Sequence, residues 1–89
     1  MERAVLKIFG RVQGVFFRQS ALEKAQTLGL SGWIKNAADG TVEAVVEGEK
    51  EKIEEFIEWC RQGSKFAKVQ KVEVKWEEAA EGLKDFLIK

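Results

Sequence analysis

Residues 33–48 read WIKNAADGTVEAVVEG, and their pattern decides the fold. Trp33-Ile34-Lys35-Asn36 is a short strand, Asp39-Gly40 a hairpin turn, and Thr41–Glu47 the returning strand, which Gly48 ends. Val42, Ala44 and Val46 fall on one face of that strand, so one side of the hairpin needs cover. Helices on either side in sequence supply it. Upstream, Phe17–Leu28 has helical spacing: Ala21, Ala25 and Leu28 recur on one stripe with Leu22 beside them, and Gly29 stands at the usual C′ place. Downstream, Ile53, Phe56, Ile57 and Cys60 form a second stripe, closed by Gly63. Further out, Val5–Phe9 reads as a strand. So does Val69–Trp76, where Val72, Val74 and Trp76 alternate with Lys71, Glu73, Lys75 and Glu77. Phe86-Leu87-Ile88 adds a short last strand.

The order β-α-β-β-α-β, with one added strand, predicts an α+β, ferredoxin-like split βαβ sandwich. Both helices pack on one face of an antiparallel sheet, and the other face meets water. One domain, residues 1–89, is expected from the length. Composition narrows the chemistry. Fifteen basic and fifteen acidic residues cancel, so no broad cationic field exists for a nucleic-acid backbone or an anionic membrane. Histidine is absent and Cys60 is the single cysteine, which excludes histidine catalysis, Cys/His zinc sites and internal disulfides. Charges at Glu2, Arg3 and Lys7 break up the N-terminus, so it is no signal peptide, and the expected location is the cytoplasm.

Chemistry concentrates in Gly10–Arg18, GRVQGVFFR, between a strand and a helix. Two glycines permit positive φ and let several N–H groups share one concavity, and the helix N-terminus adds unpaired donors. Such a junction binds anions, phosphate above all, and Arg18 in the first helical turn can close on two phosphate oxygens. The glycine spacing fits neither the Walker loop nor the dinucleotide fingerprint. By spacing alone, an anion cradle and an ordinary glycine turn with a solvated arginine are equally good readings. Asn36, just before the hairpin turn, is by habit a turn residue. Its amide also offers a donor and an acceptor that can hold a water.

Taken together, the two segments resemble the acylphosphatase family. Gly10, Val12, Gln13, Gly14, Val15, Phe17 and Arg18 match its G-x-V-Q-G-V-x-F-R signature. Gly32, Trp33, Ile34, Lys35, Asn36, Asp39, Gly40, Val42 and Glu43 resemble its second element, while Gly48, Phe86 and Ile88 fit later positions. The resemblance implies hydrolysis of the carboxyl–phosphate bond of small acyl phosphates. It implies phosphate binding by Gly10, Arg11, Val12, Gln13, Gly14, Val15, Phe16, Phe17 and Arg18, with Arg18 and Asn36 catalytic and Asn36 positioning the attacking water. Two departures are visible. The loop Gly63–Ala67 lacks the family's frequent proline, which leaves its rigidity open, and Ile34 replaces the usual valine.

Such a reaction suits a chain without histidine. The leaving group is a carboxylate, whose conjugate acid has a pKa of roughly 4, so no general acid is needed. No metal and no cofactor are expected; Glu43, Glu47 and Glu49 read as a solvated face. Cys60 reads as a buried inert thiol, and Trp33 and Trp76 as buried scaffold. Phe16 is expected to pack near the mouth of the site. An RNA-recognition module shares the element order, but Thr41–Gly48 carries no aromatic to stack a base, and net charge is zero. A non-catalytic anion-binding or regulatory module is the remaining rival. No nucleic acid, no membrane and a monomeric state are expected.

Overall fold

The computed structural model describes residues 1–79 and 82–89. Its elements are β1 (Glu2–Arg11), α1 (Phe17–Thr27), β2 (Ser31–Asn36), β3 (Val42–Gly48), α2 (Lys50–Gln62), β4 (Lys68–Glu78) and β5 (Phe86–Ile88). The strands make one sheet in the order β4-β1-β3-β2-β5. β1 pairs antiparallel with β3 and β4, and β2 antiparallel with β3. β5 lies parallel to β2, so the sheet is mixed at one edge. The reason is polarity. β2 already runs opposite to β4, and β5, coming back from β4, therefore runs the same way as β2.

Both helices cover one face, and the stripes read from the sequence make the contact. Ala21 and Ala25 from α1, and Ile53, Phe56, Ile57 and Cys60 from α2, are buried against Ala4, Leu6, Ile8, Ile34, Val42, Ala44 and Val46. Small alanines let α1 approach the sheet closely, while Phe56 and Trp59 fill the wider space, stacked on each other, with Trp59 also tilted against Phe17. α1 ends in a Schellman turn: Leu30 N–H donates to the Ala25 carbonyl and Gly29 N–H to that of Gln26.

Three expectations are corrected. β1 continues through Gly10 and Arg11 instead of stopping at Phe9. A bulge between Phe9 and Gly10 lets pairing with Val69 and Lys68 continue. Gly10 has φ +126°, and a Cβ there would collide with the Lys68 carbonyl, so only glycine fits. Trp76 lies on edge strand β4, at the margin of the face that α2 covers. It stays 39 % exposed with Lys50 over its ring, whereas Trp33 is half-buried. Glu47 is not solvated. On the face away from the helices it is 2 % exposed, bonded to Arg3 at 2.7–2.8 Å, and accepts the Leu83 N–H at 3.1 Å. That carboxylate ties the segment leading into β5 to the centre of the sheet.

Glu47 accepts from both the Arg3 guanidinium and the Leu83 N–H, so its loss takes an acceptor from two donors. Glu47→Ala is expected to destabilise the protein by about 2 kcal/mol in urea unfolding. A loss below about 1 kcal/mol would match a solvated carboxylate instead.

Candidate active site

Strand polarity assembles the site. β1 and β2 both run antiparallel to β3, hence parallel to each other, and their C-terminal ends lie at one edge of the molecule. β5 parallels β2, so Ile88 finishes at that edge too, and β4 begins there. Residues 12–16 leave β1, and Asn36 closes β2, at this common end.

Val12 and Val15 bury their side chains, 1 % and 5 % exposed, and anchor the turn from below. Gly14 and Phe16 both take left-handed backbone, φ 72° and 61°. Phe17, 1 % exposed, fixes the start of α1. No side chain caps this helix and no acidic residue lies in its first turn. Its first bond, Ser20 N–H to the Phe16 carbonyl, leaves the N–H groups of Phe17, Arg18 and Gln19 without helical acceptors. α2, by contrast, carries Glu51 in its first turn. Arg18 is half-buried on the same turn as those amides. An open cleft of about 310 Å³ runs here, lined by Val12, Gly14, Phe16, Phe17, Arg18, Gln19 and Ile88. Uncapped amides beside a guanidinium are the groups that anion binding calls for.

Three long-range hydrogen bonds brace this loop. Gln13 Nε2 donates to the Ala37 and Thr41 carbonyls at 2.7 and 2.9 Å, joining the loop to the β2–β3 hairpin. Ser64 Oγ donates to the Val15 carbonyl at 2.6 Å. In a trans peptide the carbonyl and the following N–H point opposite ways, so this bond also sets the direction of the Phe16 N–H. Ser64 escaped the sequence reading, for a lone serine in a connecting loop carries no local signal. Its hydroxyl also supplies a tether for the proline-free loop, reinforced by the turn from Ala67 N–H to the Ser64 carbonyl.

Asn36 shares the helix-covered face with Ile34, two residues back along the strand. Its Oδ1 is buried and accepts no hydrogen bond among the described residues. An orphaned acceptor of this kind costs about 1–3 kcal/mol, which a bound donor such as water would recover. The hairpin beside it is stiff. Asp39 accepts from both the N–H and the hydroxyl of Thr41, at 3.0 and 2.6 Å, and pairs with Lys7 at 3.0 Å. The bonds from Thr41, followed by that from Lys7, hold the Asp39 carboxyl well below the usual carboxylate range.

Of the residues singled out by sequence, Val12–Phe16 form the loop, and Phe17 and Arg18 the first helical turn. Gly10 and Arg11 belong to the end of β1. The side chain of Gln13 is bonded to the hairpin carbonyls. Cys60 is fully buried, and burial pushes its thiol pKa up, as an inert core residue requires.

Comparison with known proteins gives the family and the fold. The chain matches the acylphosphatase family over residues 4–88. An acylphosphatase from Thermococcus kodakarensis is 55 % identical over 86 residues, covering 97 % of this chain and 93 % of the relative. The crystal structure of acylphosphatase from Bacillus subtilis superposes with a TM-score of 0.97 at 37 % identity, covering 100 % of this chain and 99 % of that one. HypF from T. kodakarensis also contains a similar unit, at TM-score 0.86 and 32 % identity; it covers all of this chain and 12 % of that larger one.

Gln13→Ala deprives two carbonyls of a donor, and a stability loss of about 1–3 kcal/mol is expected in chemical denaturation. Asp39→Ala should lower Tm at neutral pH. Because the folded carboxyl titrates below its ordinary 3.8, its contribution is present above that value and fades as pH falls below it. The Tm gap between wild type and variant should therefore close on acidification, as followed by circular dichroism.

Proposed function

The chain belongs to the acylphosphatase family and hydrolyses acyl phosphates, and from that premise we propose that residues 12–18 hold the phosphoryl group while Asn36 places the attacking water. Gly10 and Arg11 lead into this cradle from the end of β1. The observation that carries the reading is the uncapped start of α1, with Arg18 on its first turn, at the same sheet edge as the buried, unpartnered Oδ1 of Asn36.

The reaction follows from these groups. Loop amides and the Arg18 guanidinium neutralise the phosphoryl oxygens. A water held by the Asn36 side-chain amide keeps a lone pair free to attack phosphorus in line with the carboxyl oxygen. As the new P–O bond forms, the bond to the carboxyl oxygen breaks and its electron pair leaves as a carboxylate. An amide is no base, so the water's second proton passes to a phosphate oxygen, and an acyl phosphate dianion plus water becomes a carboxylate and dihydrogen phosphate. With a leaving group whose conjugate acid has a pKa of roughly 4, neither a general acid nor a metal is called for.

We place the protein in the cytoplasm as a monomer. No helix among the described residues is long and apolar enough to cross a membrane. The helix-free sheet face carries ion pairs, Lys35–Glu43, Lys71–Glu73 and Lys75–Glu77, where an apolar dimer patch would need to be.

Benzoyl phosphate hydrolysis, with and without chelator, tests the assignment. Asn36→Ala should lower kcat about a hundredfold or more with the fold intact. Arg18→Lys keeps charge but loses the two-pronged grip; it should slow turnover and weaken competitive inhibition by inorganic phosphate. Near-normal turnover in Asn36→Ala would remove that residue from the mechanism.

A further inference from the structure

One peptide of the phosphate loop is held against its own conformational preference. Phe16 is the one non-glycine among the described residues at positive φ, 61°. Glycine takes that backbone freely, whereas a Cβ makes it costly. Turning over the peptide plane between Val15 and Phe16 would return that φ to the ordinary negative range, since the rotation changes ψ of the first residue and φ of the second together. The same rotation exchanges the directions of the Val15 carbonyl and the Phe16 N–H. Gly14, Phe16, Phe17 and Arg18 line the cleft, whereas Val15 and Ser64, to which the Val15 carbonyl points, do not. The relaxed peptide would therefore aim a carbonyl oxygen at a bound anion and take the N–H away. The binding form is the strained one, and something must hold it.

The holder comes from the loop between α2 and β4. Ser64 Oγ donates to the Val15 carbonyl at 2.6 Å, a bond that the turned-over peptide would lose. The donor is itself fixed. Gly63 N–H bonds to the Trp59 carbonyl at 2.8 Å, and Ala67 N–H to the Ser64 carbonyl at 3.0 Å. Gly63 also sits so tightly that a Cβ there would lie 3.0 Å from the Phe17 ring and 3.1 Å from the Ala67 and Val69 side chains. Phe66, from the same loop, meets the Phe16 ring at a centroid distance of 6.3 Å. The loop is thus seated on both residues at the start of α1. We infer that Ser64 is a positioning residue of the reaction, which selects the peptide orientation that offers the Phe16 N–H to the phosphoryl group. This rests on the phosphate-site reading above and names what keeps that site in its binding form.

Ser64→Ala and Ser64→Thr separate positioning from a purely structural role. The readouts are benzoyl phosphate kinetics, the inhibition constant for inorganic phosphate, and the Phe16 amide chemical shift during phosphate titration. In Ser64→Ala, KM and the phosphate inhibition constant should each rise about tenfold, the factor for losing a hydrogen bond to a charged group, while kcat changes less than about threefold. The Phe16 amide should stop responding to phosphate, with those of Arg18 and Gln19 still shifting at saturation. Ser64→Thr keeps the hydroxyl and should hold phosphate inhibition within about twofold of wild type. Inhibition within about twofold of wild type in Ser64→Ala overturns the inference even where that variant is less stable, for the bond would then be a tether only. So does equal impairment of both variants, which would assign the effect to packing. Wild type that phosphate neither inhibits nor shifts would instead overturn the phosphate-site reading, and this inference with it.

Discussion

Helix α1 begins without a cap, and the site depends on that omission. Free N–H groups at a helix start are normally satisfied by a serine, threonine or aspartate side chain. Here the preceding residue is Phe16, in left-handed backbone, and offers no such group. The donors of Phe17, Arg18 and Gln19 are left for something outside the chain. An anion that accepts from them does for the helix what a cap would have done. On the reading proposed above, a chain without histidine acquires an electrostatic site from backbone amides, to which Arg18 adds a full charge.

An unsatisfied cradle would collapse unless held open, and the surrounding structure does the holding. Val12 and Val15 are pinned in the core from below. Gln13 fastens one side to the Ala37 and Thr41 carbonyls, and Ser64 fastens the other through Val15. The sheet supplies the larger order: parallel orientation of β1, β2 and β5 brings loop, Asn36 and Ile88 to one edge. On the far side of the sheet the Arg3–Glu47 pair and the bond to Leu83 secure the route into β5, and so the position of Ile88.

Much of this was legible in the residues. The α2 stripe, Ile53-Phe56-Ile57-Cys60, is buried as its spacing requires, because periodicity reports a face directly. Asp39-Gly40 marked the hairpin and the glycine-spaced segment marked the loop, since turn chemistry is local. What stayed hidden is what depends on distant partners. Ser64 and Val15 are 49 residues apart, and Glu47 and Arg3 are 44 apart; no short pattern encodes either contact. Glu47 in particular reads like any strand carboxylate until its partner and the Leu83 N–H are seen. Gly10 looked like the first residue of a loop, but the bulge that keeps it in β1 is a property of pairing with β4.

The central claim is that backbone amides at the start of α1 grip the phosphoryl group. Amide chemical shifts during a titration of the isotopically labelled protein with inorganic phosphate report this residue by residue. The account predicts saturable shifts concentrated at Gly14, Phe16, Phe17, Arg18 and Gln19, with the Asn36 side-chain amide moving alongside them. Shifts centred on another surface, with these signals stationary at saturating phosphate, would contradict it.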